Sequence, residues 1–109
     1  MKISELIAQT GLRVLHSCPD KDVDGVYISD MVSDIITGAK ANGVLVTLQT
    51  HKSLIAAANL VDTAVIVFVK GITPSPDVVE LAEKTGIGLT STPDDAWTFA
   101  RKLADLGLR

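Results

Sequence analysis

Apolar segments alternate along the chain with stretches in which apolar residues recur at helical spacing. Residues 65–69 are apolar at every position, and residues 44–48 are nearly so. Strands that are apolar on both faces are typical of the buried centre of a parallel sheet. The apolar segments end in polar loops at four points, which are Ser29, Gln49, Lys70 and Thr90. Their spacing of about 20 residues is what a strand, a turn, a short helix and a return loop require, so it predicts successive βα units.

Proline, glycine and hydroxyl residues predict the ends of two helices. Ser75 and Pro76 predict the N-cap and first turn of one helix, and Gly86 predicts its end. Thr92 predicts the N-cap of the last helix, with Pro93 in the first helical position. The last helix carries an apolar stripe at three- and four-residue spacing, made of Ala96, Phe99, Ala100, Leu103 and Leu106.

Trp97 lies at the margin of this stripe. Because apolar periodicity surrounds it, we expect Trp97 to form a core or dimer contact rather than a surface on which a ligand stacks.

The N-terminal third is less regular. Residues 4–10 predict a short helix that stops at Gly11, residues 14–15 belong to a strand, residues 18–24 form a polar loop, and residues 26–28 resume as a strand. The complete order is α-β-β-α-β-α-β-α-β-α. With right-handed crossovers, this order predicts a single α/β domain over residues 1–109. We expect a three-layer α/β/α fold with a mainly parallel five-stranded sheet.

Composition and charge exclude several classes of protein. The 109 residues are 47% apolar, which is typical of one globular domain. The net charge is −3, and the basic residues are scattered, so we expect neither a nucleic-acid surface nor a polybasic membrane tail. The longest apolar run, residues 64–69, is far shorter than the roughly 20 residues of a membrane span. The polar N-terminus lacks the pattern of a secretory signal, and we expect a cytoplasmic protein.

The predicted strand ends are the candidate binding site. In an open parallel sheet, ligands bind beyond the carboxyl ends of the strands. The loops there bring lysines, hydroxyls and helix N-termini together, which suits an anion such as phosphate. The candidate ligand-binding residues are Gln49, Thr50, His51, Lys52, Lys70, Gly71, Thr90, Ser91 and Thr92, with Ser29, Asp30, Ser53 and Thr73 nearby. The alternative is that the hydroxyls are N-caps and the lysines are solvated.

Other candidate chemistry is weaker. Cys18 and His16 are too few for a metal site. We expect Cys18 to be a loop cysteine without a chemical role. Asp30 and Asp34 stand one helical turn apart, a spacing that suits a divalent cation, but acids in a first turn also complement the helix dipole. His51 is a candidate general base without a nucleophile motif beside it. The glycine-rich phosphate-binding and dinucleotide motifs are absent, and we expect no cofactor.

Three segments, residues 44–51, 64–71 and 81–87, resemble the DRTGG domain. The resemblance covers residues 14–106, and that family is similar to the N-terminal domain of HPr kinase/phosphorylase. Its members occur in phosphotransacetylases and between the CBS domains of regulatory pyrophosphatases, where the domain is linked to dimerisation and regulation by adenine nucleotides. The resemblance therefore implies a regulatory, non-catalytic α/β/α module that is often a homodimer.

The letters that name the family are mostly replaced here. Its Asp-Arg signature falls near residues 49–51, and its Thr-Gly-Gly signature falls near residues 69–71, where Gly71 is matched. Lys52 or Lys70 can supply the charge of the missing arginine, although not its bidentate geometry.

We therefore expect a non-catalytic regulatory module, without a nucleophile or metal signature, that senses an adenine nucleotide or another phosphorylated metabolite as a homodimer. The alternative is an accessory subunit that binds a protein partner and no small molecule. A third hypothesis, an enzyme, would use His51 with Asp30.

Overall fold

The computed structural model describes residues 1–17 and 19–109, so Cys18 lies outside the described residues. The described residues form five helices and five strands in the predicted order. The elements are α1 (Ile3–Thr10), β1 (Arg13–His16), β2 (Val26–Ile28), α2 (Val32–Gly38), β3 (Val44–Thr47), α3 (Lys52–Leu60), β4 (Val65–Phe68), α4 (Pro76–Thr85), β5 (Gly88–Ser91) and α5 (Ala96–Asp105).

The strands form one sheet in the order β1-β5-β4-β3-β2. Strands β2 to β5 are parallel, and β1 is antiparallel to β5. Thr47 pairs with Phe68, which in turn pairs with Ser91, so the last residues of three strands lie side by side. We call this end of the sheet the carboxyl edge and the opposite end the amino edge. The predicted three-layer, mainly parallel fold is confirmed.

Two apolar layers cover the sheet because side chains alternate between its faces. On one face, Val65 and Val67 pack with residues of α1 and α5, including Phe99. On the other face, Ile66 and Phe68 pack with residues of α2, α3 and α4. Every side chain of β3 and β4 is buried, as the apolar runs predict.

The structure confirms the predicted helix ends at three positions. Gly11 and Gly86 end α1 and α4 in the left-handed conformation, with φ of 71° and 73°. Ser75 occupies the N-cap position of α4, followed by Pro76, although the Ser75 side chain donates to Asp77 rather than capping a backbone N–H.

The predicted N-cap of α5 is wrong. Thr92 extends from β5, and its N–H donates to the Phe68 carbonyl at 2.9 Å, so this residue is held by the sheet. The N-cap is Asp95, whose Oδ1 accepts from the Thr98 N–H at 2.7 Å. This hydrogen bond lowers the pKa of Asp95 below its ordinary value of 3.8, and the nearby charge of Lys70 lowers it further.

Trp97 does not belong to the core, because its exposed fraction is 71%. Phe99 and Leu103 are the fully buried residues of α5. Trp97 precedes Phe99 by two residues, which places it on the opposite side of the helix. The expectation of a core contact is therefore wrong, and that of a dimer contact stays a prediction.

Within the described residues, the helices are all too short or too polar to span a membrane.

The contact between Tyr27 and Gly38 leads to the first prediction. A Cβ atom on Gly38 would lie 2.1 Å from Tyr27 Oη, which is far inside van der Waals distance. Gly38→Ala should therefore destabilise the fold by about 1–3 kcal/mol, as overpacking does, although alanine favours helix more than glycine. Urea unfolding measures this change. Combining it with Tyr27→Ala should remove the penalty, and an equal loss in both backgrounds would contradict the clash.

The Asp95 cap leads to a prediction about pH. A carboxyl whose folded pKa is depressed stabilises the fold above its unfolded pKa, and this contribution is lost as the pH falls through the folded pKa. Asp95→Ala should therefore lower the melting temperature at neutral pH, and the difference from wild type should shrink in acid. Asp95→Asn keeps an acceptor for the Thr98 N–H but cannot titrate. A penalty for Asp95→Ala that is the same in acid would show that the charged cap contributes nothing.

Candidate binding site at the carboxyl edge

The register of the sheet brings the predicted site residues to one edge. Residues 49–52 follow β3 and lead into α3, whereas Lys70 and Gly71 follow β4. Thr90 and Ser91 are the last residues of β5, so the predicted strand end at Thr90 lies one residue early. Helices α2, α3, α4 and α5 all begin at this edge, because each follows a parallel strand.

Asp30 organises the loops after β2 and β3. Its Oδ1 accepts from Thr47 Oγ1 at 3.0 Å and from the Leu48 N–H at 2.7 Å. Gln49 continues this network, because its Nε2 lies 3.4 Å from the Asp30 carbonyl and its Oε1 accepts from the His51 N–H at 2.9 Å. Gln49 and His51 are therefore positioned by hydrogen bonds within the protein.

His51 is the N-cap of α3. Its Nδ1 accepts from the Ser53 N–H at 3.1 Å and lies 3.1 Å from Ser53 Oγ. An imidazole that accepts at Nδ1 carries its proton at Nε2 when neutral. No hydrogen bond joins His51 to Asp30 in the described part of the chain, so the structure gives this pair no catalytic geometry.

Asp30 and Asp34 do not form the metal-binding pair that their spacing suggested. Asp30 precedes α2, which begins at Val32, and binds the loop after β3. Asp34 instead accepts from Tyr27 Oη at 2.9 Å, and this hydrogen bond raises the pKa of Tyr27. Among residues 1–17 and 19–109, no three His, Cys, Asp or Glu side chains gather as metal ligands.

Lys70 adopts a backbone conformation that is unfavourable for lysine. Its φ is 58°, and the φ of Gly71 is 68°, so two consecutive residues are left-handed. The conformation costs roughly 1–2 kcal/mol for a residue with a Cβ atom. Two hydrogen bonds hold it: the Lys70 N–H donates to the Asp94 carbonyl at 2.7 Å, and the Gly71 N–H donates to the Thr92 carbonyl at 2.8 Å.

Two of the three lysines near the site form ion pairs with aspartates, and Lys70 forms none with a described residue. Lys52 Nζ lies 3.3 Å from Asp77 Oδ2, and Lys102 Nζ lies 2.6 Å from Asp94 Oδ2. The Ser75 hydroxyl and Lys52 together lower the pKa of Asp77. Lys70, in contrast, forms no side-chain hydrogen bond or ion pair with any described residue. Lys70 is therefore the cation that this edge leaves most available to an anion.

The three candidates at the end of β5 are buried, with exposed fractions of 1% for Thr90, 5% for Ser91 and 4% for Thr92, which directly follows the strand. Thr90 Oγ1 donates to the Ile66 carbonyl at 2.9 Å, and Thr92 Oγ1 accepts from the Asp94 N–H at 3.2 Å. The Ser91 hydroxyl has no hydrogen-bond partner among the described residues. Ser91 pairs with Phe68, two residues before Lys70, so an unpartnered hydroxyl and an unpaired ammonium belong to neighbouring strand ends.

Sequence reasoning missed the acids that shape this edge. Asp77 pairs with Lys52, Asp94 pairs with Lys102, and Asp95 lies near Lys70. The available signal was the position of these acids at or just before the starts of α4 and α5.

Comparison with known proteins places the chain in a family. A family model for the DRTGG domain matches residues 5–106. No curated protein matches the chain significantly. Among solved structures, the chain is similar to the CBS and DRTGG domains of the regulatory region of Clostridium perfringens pyrophosphatase, complexed with its activator diadenosine tetraphosphate. The TM-score is 0.73 at 18% identity, over 93% of this chain and 45% of that one. This chain thus spans less than half of that protein region, and it belongs to the DRTGG domain family.

Proposed function

We propose that this DRTGG domain is a cytoplasmic, non-catalytic regulatory module that binds an adenine nucleotide or another phosphorylated small molecule at its carboxyl edge. The observation that carries the proposal is Lys70, a cation without an ion pair among the described residues, which is held in a strained conformation at the end of the strand that neighbours Ser91. Backbone strain that the surrounding structure maintains is concentrated at functional sites. The ligand contacts would come from Gln49, Thr50, His51, Lys52, Lys70, Gly71 and Ser91, supported by the buried Thr90 and Thr92.

The ion pair of Lys52 is compatible with this role. Lys52 and Asp77 are both more than half exposed, with side-chain exposures of 57% and 54%. An exposed ion pair contributes only about 0–1 kcal/mol, so a phosphate group can compete with Asp77 for Lys52. Helix α3 also begins at Lys52, and its N-terminus favours an anion.

The similar pyrophosphatase region supports an adenine nucleotide as the class of ligand. That structure contains CBS as well as DRTGG domains, together with diadenosine tetraphosphate. Whether a DRTGG domain alone binds such a nucleotide is what the following experiment tests.

A panel of AMP, ADP, ATP, diadenosine tetraphosphate and inorganic phosphate should raise the melting temperature of the protein. A ligand at 100 times its dissociation constant stabilises by about 2.7 kcal/mol. Lys70→Gly separates binding from folding, because it removes the cation and also relieves the left-handed strain. This variant should unfold at a higher temperature than wild type without ligand, and the ligand should no longer stabilise it.

Lys84→Ala is the matched control, because Lys84 lies in the last turn of α4, far from the carboxyl edge, and pairs with Glu80. It should keep the full response to ligand. Stabilisation by no member of the panel, or an unchanged response in Lys70→Gly, would refute the proposed site.

A protein-interaction role is the second candidate, and the exposed apolar residues favour it. Ile28, Met31 and Leu48 cluster at the ends of β2 and β3 with exposed fractions of 47%, 63% and 40%, and Trp97 is 71% exposed. Tryptophan and methionine are enriched in the centres of protein interfaces. We propose a homodimer in which Trp97 is part of the contact. A different protein partner would bind through the same kind of exposed apolar residue.

Sedimentation equilibrium at tens of micromolar should give twice the chain mass of 11.5 kDa. Trp97→Ser should shift the protein towards monomer, since large aromatic side chains dominate the free energy of interfaces. Leu60→Ser is the control, because Leu60 is comparably exposed, at 67%, but ends α3 at the amino edge. A monomeric wild-type protein would exclude the homodimer.

A further inference from the structure

A polar cavity opens at the amino edge, which is the end of the sheet opposite the proposed nucleotide site. Its volume is about 260 Å³, and its polar lining includes Lys21, Asn42, Asn59, Asp62 and Thr63. Lys21 lies in the loop before β2, Asn42 lies in the turn before β3, and Asn59 lies in the last turn of α3, whereas Asp62 and Thr63 lie in the turn before β4. The amino edge did not figure among the sites predicted from sequence.

Thr63 is the reason to regard this cavity as a site. Its exposed fraction is 4%, and its hydroxyl oxygen, which makes no hydrogen bond with a described residue, keeps contact with solvent. A hydroxyl that has no protein partner and opens into a cavity is satisfied by water or a ligand. Thr63 lines this cavity and also a neighbouring one of about 140 Å³.

The rim of the cavity carries further unused polar groups. The side chains of Asn42, Asn59 and Asp62 make no hydrogen bond or ion pair within the described residues. Asn42 and Asp62 are both left-handed, with φ of 61° and 57°, and the Asn42 N–H donates to the Asp62 carbonyl at 2.9 Å. This backbone bond fixes the positions from which the amide and the carboxylate extend.

The charges of the cavity are mixed. Asp62 offers a carboxylate, whereas Lys21 offers an ammonium whose only hydrogen bond to a described residue is a long one, 3.5 Å, to the Gly86 carbonyl. Helices α3 and α4 end beside the cavity, and helix C-termini favour a positive charge. A polyphosphate would be repelled by Asp62 and by these helix ends, but a molecule with one charge of each sign matches them.

We propose that this cavity binds a free α-amino acid or a similar small zwitterion. The ligand ammonium contacts Asp62 and the C-terminal end of α3, and the ligand carboxylate contacts Lys21. The Thr63 hydroxyl and the two asparagine amides bind the remaining polar groups. The volume of the cavity, about 260 Å³, accommodates a molecule of this size.

The test is a titration followed through the backbone amide signals of the whole chain in ¹H–¹⁵N NMR spectra. A mixture of the proteinogenic amino acids at millimolar concentration should shift the signals of Asn42, Asp62 and Thr63. The amino acid that responds is then compared with its analogues that lack either the ammonium or the carboxylate. Each analogue should bind at least about tenfold more weakly.

Two variants make the test specific to the cavity. Asp62→Asn removes the charge but keeps a residue that tolerates the left-handed conformation, so it should fold and lose binding. Thr63→Val removes only the hydroxyl and should weaken binding, whereas the charge-matched control Asp105→Asn, at the end of α5, should bind as wild type does.

The absence of any shift at these amides would overturn the proposal, as would analogues or Asp62→Asn that bind equally well. Because Lys70→Gly leaves this cavity intact, it should bind the amino acid normally. The nucleotide site and the zwitterion site can therefore fail independently.

Discussion

The burial of β3 and β4 on both faces is the constraint from which the other features follow. Residues 64–69 have exposed fractions of 1% or less, so this segment has no solvent-facing side. A slip of one residue in its register would exchange Ile66 and Phe68 with Val65 and Val67 between two differently shaped layers. The register is therefore fixed, and with it the positions at which the chain leaves the sheet.

The strain at Lys70 is a local consequence of that register. The chain must turn within two residues of Phe68, and the loops after β4 and β5 are joined by the hydrogen bonds of Lys70 to Asp94 and of Gly71 to Thr92. Asp95, which caps α5, directly follows Asp94. A ligand on Lys70 would thus act on a unit that includes the first turn of α5, where Trp97 is exposed. Ligand binding at the carboxyl edge would therefore affect the position of Trp97, a candidate contact residue, through only a few hydrogen bonds.

Sequence patterns predicted the fold more completely than the site. Apolar runs predicted the order of the strands and helices, and glycines predicted the ends of α1 and α4, because burial and backbone geometry act on residues that are near one another in sequence. Thr92 stays in the sheet because its N–H donates to the Phe68 carbonyl of β4. Helix α5 therefore begins later, and this start makes Asp95 its N-cap and leaves Trp97 exposed. The ion pair of Lys52 with Asp77 and the free hydroxyl of Ser91 depend on how separate βα units meet. Such contacts leave no periodic signal in one chain.

The helix ends at the two edges of the sheet carry opposite partial charges because of the topology. In successive parallel βα units, helices begin at the carboxyl edge and end at the amino edge, so their dipoles favour anions at the first and cations at the second. Lys70 at the carboxyl edge and Asp62 at the amino edge form no ion pair with a described residue, whereas the carboxylates of Asp77 and Asp94 at the carboxyl edge are paired with lysines. The helix ends therefore favour an anion at the carboxyl edge and a cation at the amino edge. The two proposed sites would thus select ligands of different charge without a second domain to separate them.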